Sequence, residues 1–293
     1  MSKTQSGILS EETLLARYMT FNVVDLEALK PTLTRLAEYI DGESTVCGLS
    51  HTLLQLLDVE IEGLRILPAM SGNGIAIPST PSAIWFWLRG DDRGELFHRG
   101  RDIESMLFPA FELDDIVDTF QYDENRDLSG YEDGTENPHG QAAIDAAVVQ
   151  EQGEGLQGSS FVAVQQWVHD FDMLDEMSIA ERDNAIGRHI SDNEEFDAPE
   201  SAHVKRTAQE SFSPEAFMLR RSMPWAEASE GGLYFVAFAN SFYPFEVQLE
   251  RMIGNEDKVS DGIFEFTRPQ TGAYFWCPPM QNGKLDLRAL SLN

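Results

Sequence analysis

The sequence predicts an α+β fold built from two similar halves, and three observations predict it. Short strands of alternating or aromatic character, such as 82–88 (SAIWFWL) and 160–169 (SFVAVQQWVH), recur along the chain between amphipathic helical stretches. In the first half the order reads strand, helix, strand, strand, helix, strand, which is the ferredoxin-like arrangement of an antiparallel sheet with flanking helices. The second half repeats the theme without a short-period sequence repeat. At 293 residues the chain is too long for one small core, and the expected division is 1–125 and 126–293.

Residues 16–23 (ARYMTFNV) read as the first strand. Asp25 then caps a helix whose Leu26, Leu29, Leu33, Leu36, Ala37 and Ile40 fall at helical spacing, with Pro31 tolerable only in its first turns. A second strand is expected over 46–57, its leucine-rich end being equally compatible with helix. Residues 68–81, with two glycines and three prolines, read as loop. The aromatic strand 82–88 follows, then a helix opened by Asp91 or Asp92 and reaching about Phe108, then a strand over 111–122. Beyond a polar loop, 141–149 is Ala-rich and helical, 151–159 a connection and 160–169 a strand. Residues 171–188 are helical, in two pieces broken near Met177-Ser178. An acidic loop spans 190–202. Strands are expected over 217–221 and 233–240, a helix over 244–254 and a last strand within 262–275.

Lys plus Arg number 21 against 50 Asp plus Glu, a formal charge of −29. Such a field repels nucleic acid and anionic membrane. Cys47 and Cys277 form no CxxC, which argues against a zinc site or a disulfide framework. The N-terminal stretch has no basic start followed by an apolar core and a small-residue cleavage site, and no twin-arginine signal. No run of 18 apolar residues occurs. The expectation is therefore a cytoplasmic protein without signal peptide or membrane span.

The informative loop is 130–138, Gly-Tyr-Glu-Asp-Gly-Thr-Glu-Asn-Pro. Gly130 and Gly134 accept φ > 0, and Asn137 before Pro138 is pushed away from helix. The result is a shaped loop presenting Asp133. An Asp-Gly pair alone is a common surface turn. The longer string resembles the GxxDG motif of the dye-decolorising peroxidases followed by their Asn-Pro. His203, in SAHVKR and about 70 residues past Asp133, is similar in placement to that family's proximal haem histidine. It precedes what reads as a basic-plus-apolar strand. The stretch 218–225 (MLRRSMPW) resembles the family's Leu-Arg-x-x-Met-Pro segment, whose arginine lies in the distal haem pocket. Three signals in the family's order carry the resemblance, which extends from Ser6 to Phe275 and is closest to the compact bacterial, class B-like branch.

The resemblance implies a haem peroxidase with one haem b per chain, held mainly in the C-terminal half. His203 would be the iron ligand, the catalytic pair Asp133 and Arg220. Arg221, on a variable position, reads as surface charge, because adjacent strand residues face opposite ways. Ser222 matches a position facing the peroxide site. Arg188 resembles a haem-propionate binder, a guanidinium fork suiting a carboxylate, though a helix-end arginine near the dipole reads almost as well. Asn137 would belong to the cofactor-binding set, and Asp261 resembles the acidic partner of the ligating histidine. Asp133 would move a proton between the peroxide oxygens, a task suited to acid pH because an aspartate ordinarily titrates near ~4. Arg220 would stabilise charge as the O–O bond breaks. The sequence leaves open which of them dominates.

Implied partners are hydrogen peroxide, an aromatic or dye reductant and a second copy of the chain. The tail from Lys284 could dock an encapsulating shell, with packing on the domain the better expectation. Two rival readings remain at this stage: a haem-handling enzyme that releases iron or oxidises porphyrin, and a non-haem ferredoxin-like binding module.

Overall fold

The computed structural model describes residues 3–11 and 13–292; Met1, Ser2, Glu12 and Asn293 lie outside the described residues. The first half runs α1 (Ser6–Leu9), β1 (Leu15–Val23), α2 (Leu29–Tyr39), β2 (Thr45–Leu49), α3 (His51–Leu56), β3 (Met70–Gly72), β4 (Ile75–Ile77), β5 (Ile84–Gly90), α4 (Arg93–Leu107) and β6 (Phe111–Phe120). The second comprises α5 (Gln141–Ala147), β7 (Ser160–His169), α6 (Phe171–Glu176), α7 (Ile179–Ile186), α8 (His203–Arg206), β8 (Leu219–Arg220), β9 (Met223–Glu227), β10 (Glu230–Ala239), α9 (Tyr243–Met252), β11 (Thr267–Pro269) and β12 (Ala273–Cys277).

Each half has the ferredoxin-like strand order. In the first, β2-β5-β1-β6 lie side by side; in the second, β9-β10-β7-β12 do. In both, the first and third strands are central and the pairs are antiparallel. The second strand of the second half is broken into β8 and β9 at Arg221-Ser222, and its fourth into β11 and β12. The halves join through single residue pairs at both edges, Trp276↔Leu49 and Thr119↔Trp225. Joined at both edges in this way, the two four-stranded sheets close into a barrel.

Alternation along the strands sorts the side chains. Tyr18, Trp85, Trp87, Tyr234, Phe238 and Phe275 fill one face, the barrel interior, and all are nearly inaccessible. Tyr18 stacks on Tyr234 with centroids 4.0 Å apart, and the Trp85 indole N–H donates to the Tyr234 hydroxyl at 3.2 Å. Burying one such ring is worth roughly 4–6 kcal/mol before conformational entropy is charged against it. Met19, Phe21, Phe86 and Leu88 point outward and are covered by α2 and α4. Cys47 and Cys277 belong to opposite faces, so each packs separately as a buried thiol.

Three local expectations are corrected. The strand expected over 46–57 stops at Leu49, because Ser50 accepts the Leu53 N–H (3.2 Å) and caps α3. The loop expected over 68–81 contains the β3–β4 hairpin, whose Asn73-Gly74 turn has both residues at positive φ. His203 opens helix α8 instead of preceding a strand. The tail does pack: Leu285, Leu287 and Leu290 are buried in the main core. Among the described residues no helix is long and apolar enough to cross a membrane.

Candidate functional site

The outer face of the second half's sheet is only partly covered. Between β7 and β10 on one side and α7, α8 and α9 on the other lies a cleft with about 960 Å³ of space counting its open mouth. Its walls are mostly apolar, with Trp167, Leu233, Phe235, Phe245, Leu249 and Met252 among them. His203, Asp133 and Arg220 all line it.

His203 is set by the packing of α7 against α8. Gly187 ends α7 at φ 96°, and a Cβ there would stand 2.3 Å from the Val204 side chain, so the helices approach too closely for any other residue. The His203 Nδ1 is 2.7 Å from the fully buried carboxylate of Asp261. Asp261 is itself fixed by accepting the Ile263 N–H at 3.0 Å. Nε2 has no protein partner among the described residues. This is the arrangement of an imidazole whose tautomer is set from behind and whose other nitrogen is open to a ligand.

Asp133 sits where Gly130 (φ 94°) and Gly134 (φ 81°) turn the loop as expected. Its N–H donates to the Asn125 carbonyl (3.0 Å), and its Oδ1 accepts the Gly134 N–H (2.8 Å). Oδ2 has no protein partner among the described residues. The Arg220 guanidinium likewise has neither hydrogen bond nor ion pair among the described residues, although it borders three connected cavities. Arg221 points elsewhere, its Nε–H donating to the Ile8 carbonyl at 3.2 Å.

The remaining expected residues divide. Ser222 borders a small side cavity shared with Asp133 and Arg220, not the main cleft, and its Oγ accepts the Val236 N–H at 3.3 Å. Arg188 stands at the mouth, but Glu136 (2.7 Å) and Glu195 already hold it. Asn137 borders the same side cavity as Ser222, and its amide is engaged at both ends by the Arg220 backbone.

The family described as Dyp-type peroxidase, C-terminal, matches residues 124–282. A dye-decolorizing peroxidase of Brevibacterium linens is 33% identical over 223 residues, covering 74% of this chain and 61% of its own length. One from Rhodococcus erythropolis is 34% identical, covering 71% and 63%. The chain belongs to the Dyp-type peroxidase family. It spans only about three-fifths of those curated relatives. Solved Dyp structures match it over nearly their whole length. A Rhodococcus jostii DypB variant in complex with haem aligns with TM-score 0.84 and 28% identity over 92% of this chain and 94% of that one. A dye-decolorizing protein from Vibrio cholerae aligns with TM-score 0.83 and 26% identity over 98% and 99%.

Several residues that line or support this cleft were not legible in the sequence. The His169 ring lines the cleft yet is fully engaged, with Nδ1 2.8 Å from Thr267 Oγ1 and Nε2 2.9 Å from Asp127. Burial pushes the Asp127 carboxyl up, but its bonds to His169 and Ser129 outweigh that and hold it below the usual aspartate range. The pair ties the base of the Asp133 loop to β7. Asp127→Ala would strand a buried imidazole nitrogen, at an expected cost of about 1–3 kcal/mol in denaturant unfolding. Because the folded carboxyl is depressed, its contribution is present above the ordinary aspartate range and is lost as pH falls through the lowered value. Tyr131 also lines the cleft. Its hydroxyl donates to Asp183 at 2.6 Å, and burial, then that carboxylate, drive its pKa far upward.

Proposed function

We propose that this chain is a haem-dependent peroxidase that reduces hydrogen peroxide and oxidises dyes and other aromatic reductants in one-electron steps, with one haem b per chain. One observation carries the reading. An apolar cleft presents a carboxylate-backed imidazole with its Nε2 open, together with a guanidinium and a carboxylate oxygen that lack protein partners among the described residues.

These residues fit haem. One neutral imidazole is the protein ligand a haem iron needs, and among the described residues no three His, Cys, Asp or Glu side chains group to hold a bare metal ion. The apolar walls suit a porphyrin, and a few polar side chains, His203, Asp133 and Arg220 among them, converge on the cleft as cofactor sites require. His203 would hold the iron. Arg188 would meet a propionate by exchanging Glu136 and Glu195 for it. When bound, haem supplies the iron centre and its redox chemistry.

The chain's own residues supply the rest. Asp133 accepts a proton from one peroxide oxygen and returns it to the other, a transfer its unpartnered Oδ2 can make without breaking a hydrogen bond to any described residue. Arg220 offers its unpaired guanidinium to the oxygen on which negative charge develops. Asp261 keeps the Nδ1 proton of His203 in place and raises the basicity of Nε2.

The decisive experiment is reconstitution of the purified chain with haem, read first as a Soret band and then as peroxide-dependent dye oxidation. Absence of the Soret band would sink the proposal. A band without dye turnover, with the bound haem itself converted, would favour the haem-handling reading. Within the peroxidase reading, Asp133→Asn keeps the acceptor for Gly134 and removes the titrating carboxylate. The acid limb of the kcat/KM profile for dye oxidation is expected to flatten or vanish. An unchanged profile would leave Asp133 as a loop-shaping residue.

A further inference from the structure

Strand β8 is two residues long, and the chain breaks at Arg221-Ser222 before β9 begins. On one edge Arg220 pairs with Ala237 of β10. On the other, no strand is present among the described residues, and a side chain takes its place. Asn137 Nδ2–H donates to the Arg220 carbonyl at 3.0 Å, and Asn137 Oδ1 accepts the Arg220 N–H at 2.8 Å. A second amide, acting two residues earlier at Met218, bridges this edge to the Asp133 loop. Gln209 Nε2–H donates to the Glu136 carbonyl at 3.0 Å, and its Oε1 accepts the Met218 N–H at 3.1 Å. Both amides are buried. The Asn137 N–H in turn donates to the Gly134 carbonyl at 2.9 Å, one residue beyond Asp133.

We propose that Asn137 is a positioning residue for Arg220. Its amide substitutes for the missing strand, fixes the Arg220 backbone on both its polar groups, and thereby sets the guanidinium against the loop that carries Asp133. In this role Asn137 acts through Arg220. The proposal rests on the role given to Arg220 in the peroxidase reading.

A double-mutant cycle of Asn137→Ala with Arg220→Ala separates this role from general damage, since residues acting as one unit are non-additive. Two readouts are needed: the rate of reaction of the haem-loaded enzyme with hydrogen peroxide, and the thermal midpoint of the cofactor-free protein. Arg220→Ala leaves the backbone N–H and carbonyl intact, so the clamp itself survives in it. Asn137→Ala is therefore expected to lower the midpoint by roughly 3–6 °C in both backgrounds. The rate should behave differently, falling about tenfold when Arg220 is present and less than about twofold when it is already gone. Should Asn137→Ala fail to fold, Asn137→Asp enters the same cycle, keeping volume and the acceptor but opposing an oxygen to the Arg220 carbonyl.

An equal rate loss in both backgrounds would overturn the proposal and leave Arg220 in place. So would a normal rate in Asn137→Ala alongside a slow Arg220→Ala. A normal rate in Arg220→Ala would remove that residue from the reaction, and the positioning role with it.

Discussion

Replacing His203 with alanine is expected to strip most of the haem from the protein, weakening binding by well over about a hundredfold. The bound is set by comparison: losing only an outer partner of a metal-bound histidine costs about 10–100-fold in affinity, and His203→Ala removes the ligand itself. Among the described residues no other side chain is placed to compensate. Among the described residues the cleft is lined by one further histidine, His169, whose two nitrogens are committed to Thr267 and Asp127. His189 is held by Asp183 and stacked on Phe196 at 4.5 Å, away from the cleft. Asp261→Asn provides the graded control. It keeps the shape and the bond to the Ile263 N–H but removes the charge at Nδ1, so its loss should fall inside the 10–100-fold range. Haem titration followed at the Soret band measures both. A histidine-ligated spectrum of normal intensity in His203→Ala would remove His203 from the site and direct attention to His169.

The parts of this site that sequence could convey were those encoded by local chemistry. Two glycines with φ > 0 bracket Asp133 as their lack of Cβ allows, and strand alternation correctly separated Arg220 from Arg221. What failed had a non-local cause. The leucine-rich run after Leu49 is compatible with strand or helix, and only the Ser50 cap decides it. The basic residues after His203 turn into a helix because α8 docks between α7 and α9, a packing contact with no sequence period. Barrel closure depends on two single residue pairs between strands far apart in the chain. The bonds of the Asn137 amide to a backbone 83 residues away were equally hidden, since no spacing rule exposes such a contact. Asp127 and His169 were missed for the same reason, being partners 42 residues apart.

Arg220→Ala is expected to slow the reaction with hydrogen peroxide by about a hundredfold or more, and Arg221→Ala by no more than about twofold. Removing one donor aimed at a developing oxyanion costs about 2.7–4 kcal/mol, and each 1.36 kcal/mol is tenfold in rate. That full value applies to a donor whose charge is not already neutralised. Arg220 qualifies, since among the described residues no carboxylate lies within ion-pairing distance of it, Asp133 included. Arg221 is spaced one residue along the same strand break, so it faces the Ile8 carbonyl and borders none of the three cavities that Arg220 shares. Its guanidinium reaches Arg220 only at the backbone carbonyl (3.5 Å), and a charge so placed acts on the cleft through screened distance, where effects of about 0–1 kcal/mol are usual. Stopped-flow mixing of the haem-loaded enzyme with hydrogen peroxide isolates this step from the reductant. A slow Arg221→Ala beside a normal Arg220→Ala would mean that the register across 219–222 is displaced by one, taking Ser222 out of the side cavity as well. If both variants react normally, the proton transfer by Asp133 carries O–O cleavage alone, and the unpaired guanidinium of Arg220 serves to hold an anionic group in the cleft.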